Sequence, residues 1–183
     1  MKHQLMLAAM LAVLLPGIAA AQQSAYAGRE TRTIKALSAE ETQQYLSGAG
    51  MSYAQAAELN RYPGPMHVLE LEKPLALTPA QRAATQQLMD THKAEARAIG
   101  AQLVAAEQEL DRLFASGELD DTTLAEQVKT VAALQGEYRL AHLETHRRMR
   151  PLLNADQVAR YAQLRGYSDD SSNAQQHRGT HQH

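Results

Sequence analysis

The chain of 183 residues has no cysteine, and its aromatic side chains are one phenylalanine and seven tyrosines. Without cysteine, neither a disulfide nor a thiolate metal site can form. Without bulky aromatics a thick globular core cannot be filled, whereas the abundant alanine suits thin seams between helices. Excess positive charge is missing too. The formal net charge is −2, which gives no footing on a nucleic-acid backbone. No Ser-His-Asp order, glycine-rich phosphate loop or His-Glu-x-x-His motif occurs, and the carboxylates fall where solvated helix faces explain them. The pattern therefore argues against an enzyme. The one long apolar run, Leu5 to Leu15, is too short to span a bilayer and meets Pro16-Gly17. With Lys2 before it and Ala19-Ala20-Ala21 behind it, this run reads as a secretory signal, residues 1–21, cleaved before Gln22. Its removal takes one lysine and leaves 17 basic against 20 acidic residues, a formal charge of −3.

What is present is a helical skeleton of one domain. From Thr78 to Arg150 two long amphipathic segments flank one short break, Ser116-Gly117-Glu118-Leu119-Asp120. Leu77-Thr78-Pro79-Ala80-Gln81 precedes them and Leu153-Asn154-Ala155-Asp156-Gln157 follows. In each pentapeptide Thr78 or Asn154 can cap a helix, and Gln81 or Gln157 can return a bond to the cap's own N–H. Pro79 stands at the first helical position, where its missing N–H costs nothing. Leu153 can also staple onto Val158. Helices are predicted over 79–115 and 121–149, antiparallel, with a short third helix from Ala155 to about Leu164 and a glycine stop at Gly166.

The first long segment carries Leu88, His92, Ile99, Leu103, Leu110 and Leu113 on one stripe, with Ala96 and Ala106 between them. The second carries Leu124, Val128, Val131, Tyr138, His142, Thr145 and Met149, with Thr123 and Glu126 offering a capping box. Steps of three and four recur in both, as a helix–helix seam requires. Folding the chain about residue 118 sets Gly100 opposite Gly136. A matched pair of helix-interior glycines reads either as chance or as a close approach of backbones.

Paired Leu-Thr-x-x-Gln-type motifs around a long hairpin, here with Asn154 in place of Thr in the second, resemble the Spy/CpxP family of periplasmic proteins, which includes heavy-metal sensors. The likeness covers roughly 63–167. It implies an all-α fold: a long antiparallel helical hairpin with short flanking helices, dimerising into a curved cradle. It also implies a periplasmic, ATP-independent chaperone-like protein that binds partly folded envelope proteins during stress. Restraint of a sensor kinase is a further family role. The alternative is a heavy-metal sensor or metal-binding resistance protein.

Ahead of the hairpin, residues 22–36 read as a mobile leader and 37–62 as a short helical arm. Ser38 and Glu41 open one arm helix that Gly48-Ala49-Gly50 stops. Ser52 and Gln55 open a second that ends near Asn60, before Tyr62-Pro63-Gly64-Pro65. Residues 168–183 read as a disordered tail containing His177, His181 and His183, a group that would bind metal weakly if at all.

Chemistry concentrates on histidine. His142-x-x-x-His146 puts two imidazoles on one helical face. The hairpin register brings His92 to the same level, with Glu95 one turn away. Such a set can hold zinc, copper or nickel; the plain alternative is seam and surface histidines with ordinary hydrogen bonds. His67 has no partner at a readable spacing. Arg147, Arg148 and Arg150 complement the helix dipole or form a docking patch for acidic partners. So few bulky residues cannot bury both faces of two long helices, so a second copy or a client is expected to cover the remainder.

Overall fold

A computed structural model of the chain describes residues 24–167. The segment read as a secretory signal and the histidine-containing segment read as a disordered tail lie outside the described residues. Six α-helices form among those that are described: α1 Ala39–Ser47, α2 Gln55–Glu58, α3 Pro65–Glu70, α4 Pro79–Ser116, α5 Asp121–Met149 and α6 Ala155–Leu164.

The hairpin of α4 and α5 stands where the sequence places it. Thr78 Oγ1 accepts the Gln81 N–H at 3.1 Å, and Gln81 Oε1 accepts the Thr78 N–H at 3.0 Å. The helix runs one residue past its expected end, to Ser116, and stops at Gly117 with φ 70. α5 spans 121–149 as expected, but its cap is not the Thr123–Glu126 box. Asp120 caps it, its carboxylate accepting the Thr123 N–H at 2.7 Å, so Thr123 is the third helical residue. A carboxylate at this end satisfies the orphan N–H and meets the positive end of the helix dipole.

At the other end of the hairpin Asn154 and Gln157 form their box, and the two boxes are joined. Gln81 and Gln157 each donate from Nε2 to the other's Oε1, at 2.8 and 3.0 Å. The same two amides also donate to the carbonyls of Leu152 and Leu75, at 2.9 and 3.1 Å. Gln157 is buried, so this mutual saturation is what makes its burial tolerable. Leu153 and Val158 both lie in the adjoining core, as a staple requires.

Two apolar clusters line the seam. One gathers Ile34, Leu37 and Tyr45 against Ala96, Leu103, Ala106, Val131 and Tyr138. The other gathers Val68 and Leu75 against Leu88, Met149, Leu153, Val158 and Tyr161. Between Leu88 and Ala96 on α4, and between Tyr138 and Met149 on α5, the buried polar side chains are His92, His142 and Thr145. A polar layer thus separates two dry ones. Val128 departs from the predicted seam and is 48% exposed. Its neighbour Gln127 turns inward instead and donates to the Ala106 carbonyl at 2.7 Å.

The glycine pairing is corrected. A Cβ on Gly100 would lie 2.1 Å from the Tyr45 carbonyl oxygen, whereas one on Gly136 would meet nothing within 4 Å. Gly100 admits α1, and Gly136 faces open space.

The arm also departs from expectation. Ser38 and Glu41 do form their box, and Gly48 in the left-handed region ends α1. Ser52, however, caps nothing: Met51 and Ser52 have φ 44 and 67, and α2 starts later, from Ala54 without a side-chain cap. The tertiary position of this turn, with the Tyr138 hydroxyl donating to the Ala49 carbonyl at 2.7 Å, overrides the local capping signal. Beyond the Pro-Gly-Pro run an unexpected helix, α3, begins on Pro65, whose fixed φ suits the first turn. Residues 34–36, read as leader, are engaged: Ile34 is buried and Lys35 Nζ lies 3.0 Å from Asp111 Oδ2.

Candidate functional site

A cavity of roughly 570 Å³ opens at the polar layer, between the hairpin and the segment 47–67. α4 supplies His92 and Met89, and α5 supplies His142, Thr145 and His146. The turn after α1 supplies 47–52, α2 supplies Gln55 and Glu58, and the start of α3 supplies Met66 and His67. All three histidines singled out by spacing reach this one cavity. Glu95, three residues beyond His92, does not line it and is exposed.

The hydrogen bonds settle which nitrogens are available. His142 Nδ1 is 2.8 Å from the Tyr138 carbonyl, and His146 Nδ1 is 2.7 Å from the Tyr62 carbonyl. A carbonyl can only accept, so each Nδ1 carries the proton and, in the neutral ring, each Nε2 is a bare lone pair. His142 Nε2 is buried with no hydrogen-bond partner, and so is His92 Nδ1. The His92 and His142 rings meet edge to face with centroids 4.5 Å apart.

Burial keeps the His92 and His142 rings neutral. Desolvation first, then the neighbouring His142 and His146, push the His92 pKa down to about 4. Desolvation, helped by the neighbouring His146, likewise lowers that of His142, opposed by its bond to the Tyr138 carbonyl and by the nearby backbone of Gly48 and Ala49. A neutral imidazole with one nitrogen anchored by backbone and the other free, as at His142, has the form that a metal-ligating histidine takes. Among the described residues, though, no three His, Asp or Glu side chains converge as a finished cage.

The carboxylate that sequence reasoning missed is Glu58. Its Oε1 accepts the Tyr161 hydroxyl at 2.5 Å and lies 3.4 Å from Arg165 Nε. Its Oε2 is buried without a hydrogen bond, 3.5 Å from His146 Nδ1. Gly64 completes this wall: an added Cβ would stand 2.8 Å from His146 Cε1. No local spacing relates Glu58 to α5, so nothing short of the tertiary fold could have found it. His67 has a partner after all, Glu70 Oε2 at 2.8 Å one turn on. Arg147 pairs with Glu144 on its own helix, which fits the ordinary reading of that arginine.

Comparison with known proteins adds one finding. A family model described as heavy-metal resistance matches residues 45–160, a span that takes in α4, α5, Glu58 and all three histidines. No curated protein and no solved structure matches the chain.

Proposed function

The chain belongs to the heavy-metal resistance family, and from that premise we propose that it is a periplasmic, non-enzymatic metal-binding protein with His92, His142 and His146 as ligands. Zinc, copper and nickel all suit imidazole. The observation that carries this reading is the pair of histidines held through Nδ1–H by backbone carbonyls, with His142 Nε2 and His92 Nδ1 left buried and unpartnered. Leaving a buried polar atom unsatisfied costs about 1–3 kcal/mol, and a bound metal would remove that cost. Because the His92 and His142 rings are already neutral, binding to them need not first expel protons at neutral pH.

Calorimetric titration of the mature chain with zinc, copper and nickel tests the proposal. His92→Ala, His142→Ala and His146→Ala are each expected to weaken binding by more than about tenfold. Binding weaker than about 100 μM for every metal, near −5.5 kcal/mol, would contradict it.

A second reading rests on the outer surface. Phe114 is 63%, Leu140 62% and Val128 48% exposed, so the hairpin offers apolar side chains to a second copy or to partly folded clients, as in a chaperone-like role. Suppression of client aggregation that a chelator leaves unchanged would favour this reading.

A further inference from the structure

All four histidines of the described residues line the one cavity, and so do three of their four methionines, Met51, Met66 and Met89. The fourth, Met149, is fully buried in an apolar cluster. Building on the metal-binding reading of this cavity, we infer that the ion it takes is a soft monovalent one, cuprous copper, held by thioether sulfur from these methionines together with His92 and His142.

Three observations carry this beyond an imidazole site. First, nitrogen and oxygen donors alone do not close a cage here, and the remaining donors on the wall are sulfurs. Thioether is a soft, neutral ligand that selects Cu(I) over zinc or nickel. Second, the fixed charge of the wall suits a single positive charge. Among the described residues Glu58 is the one carboxylate lining the cavity, and Lys93 and Arg165 line it too. Coulomb repulsion from those cations acts twice as strongly on a divalent ion as on a monovalent one. Third, Met51 lines the cavity from a strained turn, while also packing against the cluster of Ile34, Tyr45 and Tyr138. Met51 and Ser52 follow one another in the left-handed region, at φ 44 and 67, where side chains other than glycine's are disfavoured. Met89 comes one turn before His92 on α4, so the same face of that helix offers sulfur and nitrogen together.

Methionine is also a common gap-filler, and the exposure of Met66, at 47%, argues against that role for it. A gap-filler would be enclosed.

The test uses the full mature chain with His177→Ala, His181→Ala and His183→Ala, so that the tail does not compete. Anaerobic Cu(I) is titrated against a chromophoric Cu(I) chelator, and zinc is titrated separately by calorimetry. Met51→Leu, Met66→Leu and Met89→Leu are made singly and together, since leucine conserves volume. The expected result is a loss of Cu(I) affinity of more than about tenfold in the triple variant, with zinc binding unchanged. X-ray absorption at the copper edge should show a sulfur shell that the triple variant lacks. Should the triple variant fold poorly, Met66→Leu alone, at a half-exposed site, is expected to lower Cu(I) affinity. Cu(I) bound through nitrogen and oxygen only, or with undiminished affinity in the variants, overturns this inference while histidine-dependent zinc binding leaves the metal-binding reading in place. Absence of binding for every ion overturns both.

Discussion

At the scale of single residues, Gly100 and Gly136 are alike in sequence and opposite in consequence. Both sit inside long helices, where alanine is favoured over glycine by about 1 kcal/mol. Gly136→Ala should gain about that much, because its Cβ enters open space. Gly100→Ala should lose about 1–3 kcal/mol, because α1 must retreat from the new methyl. Urea unfolding of both variants checks the pair, and equal effects would contradict the assigned contact with Tyr45. His92 makes a second prediction. Its folded pKa, about 4, lies below the ordinary 6.5, so in that interval the unfolded chain binds the proton that the folded one excludes. Stability therefore falls as pH drops from about 6.5 to about 4, by something on the order of 3 kcal/mol, and is whole above that window. His92→Leu should flatten this slope in unfolding curves of the metal-free protein. An unchanged slope would mean that the ring is not desolvated.

At the scale of elements, the helix starts separate real caps from apparent ones. Thr78→Ala and Asn154→Ala should each cost about 1 kcal/mol, and Thr78→Ser should be nearly neutral. Ser52→Ala should also be nearly neutral, since Ser52 caps no helix. Thermal or urea unfolding ranks the four, and a Ser52→Ala cost equal to that of Thr78→Ala would contradict the turn at 51–52. This contrast shows what was legible in the sequence. The hairpin, its break and its end motifs could be read because caps and helical period are properties of neighbours in the chain. So could the level at which His92 meets His142, because a hairpin with a four-residue turn has one register. The arm could not be read in the same way. Its turn at Met51, the helix on Pro65 and the placing of Glu58 are set by contact with α4 and α5, and local signals there point elsewhere. Val128 was misplaced because apolar spacing fixes a stripe only to within one residue where Gln127 can reach a backbone carbonyl instead.

At the scale of the whole molecule, the hairpin keeps Phe114, Val128 and Leu140 exposed. A second copy would cover such side chains, so sedimentation at micromolar concentration is expected to give twice the monomer mass. A folded monomer there would contradict association through this surface. The claim on which the functional account turns is narrower: the buried His142 imidazole, anchored at Nδ1, offers its Nε2 to a metal. Long-range nitrogen–proton NMR of the histidine side chains reads this directly. In the metal-free protein His142 and His146 should appear as the Nδ1–H tautomer, and saturating metal should shift Nε2 of His142 while its Nδ1 stays protonated. An Nε2–H tautomer at His142, or ring nitrogens that do not move when metal is added, would contradict the account.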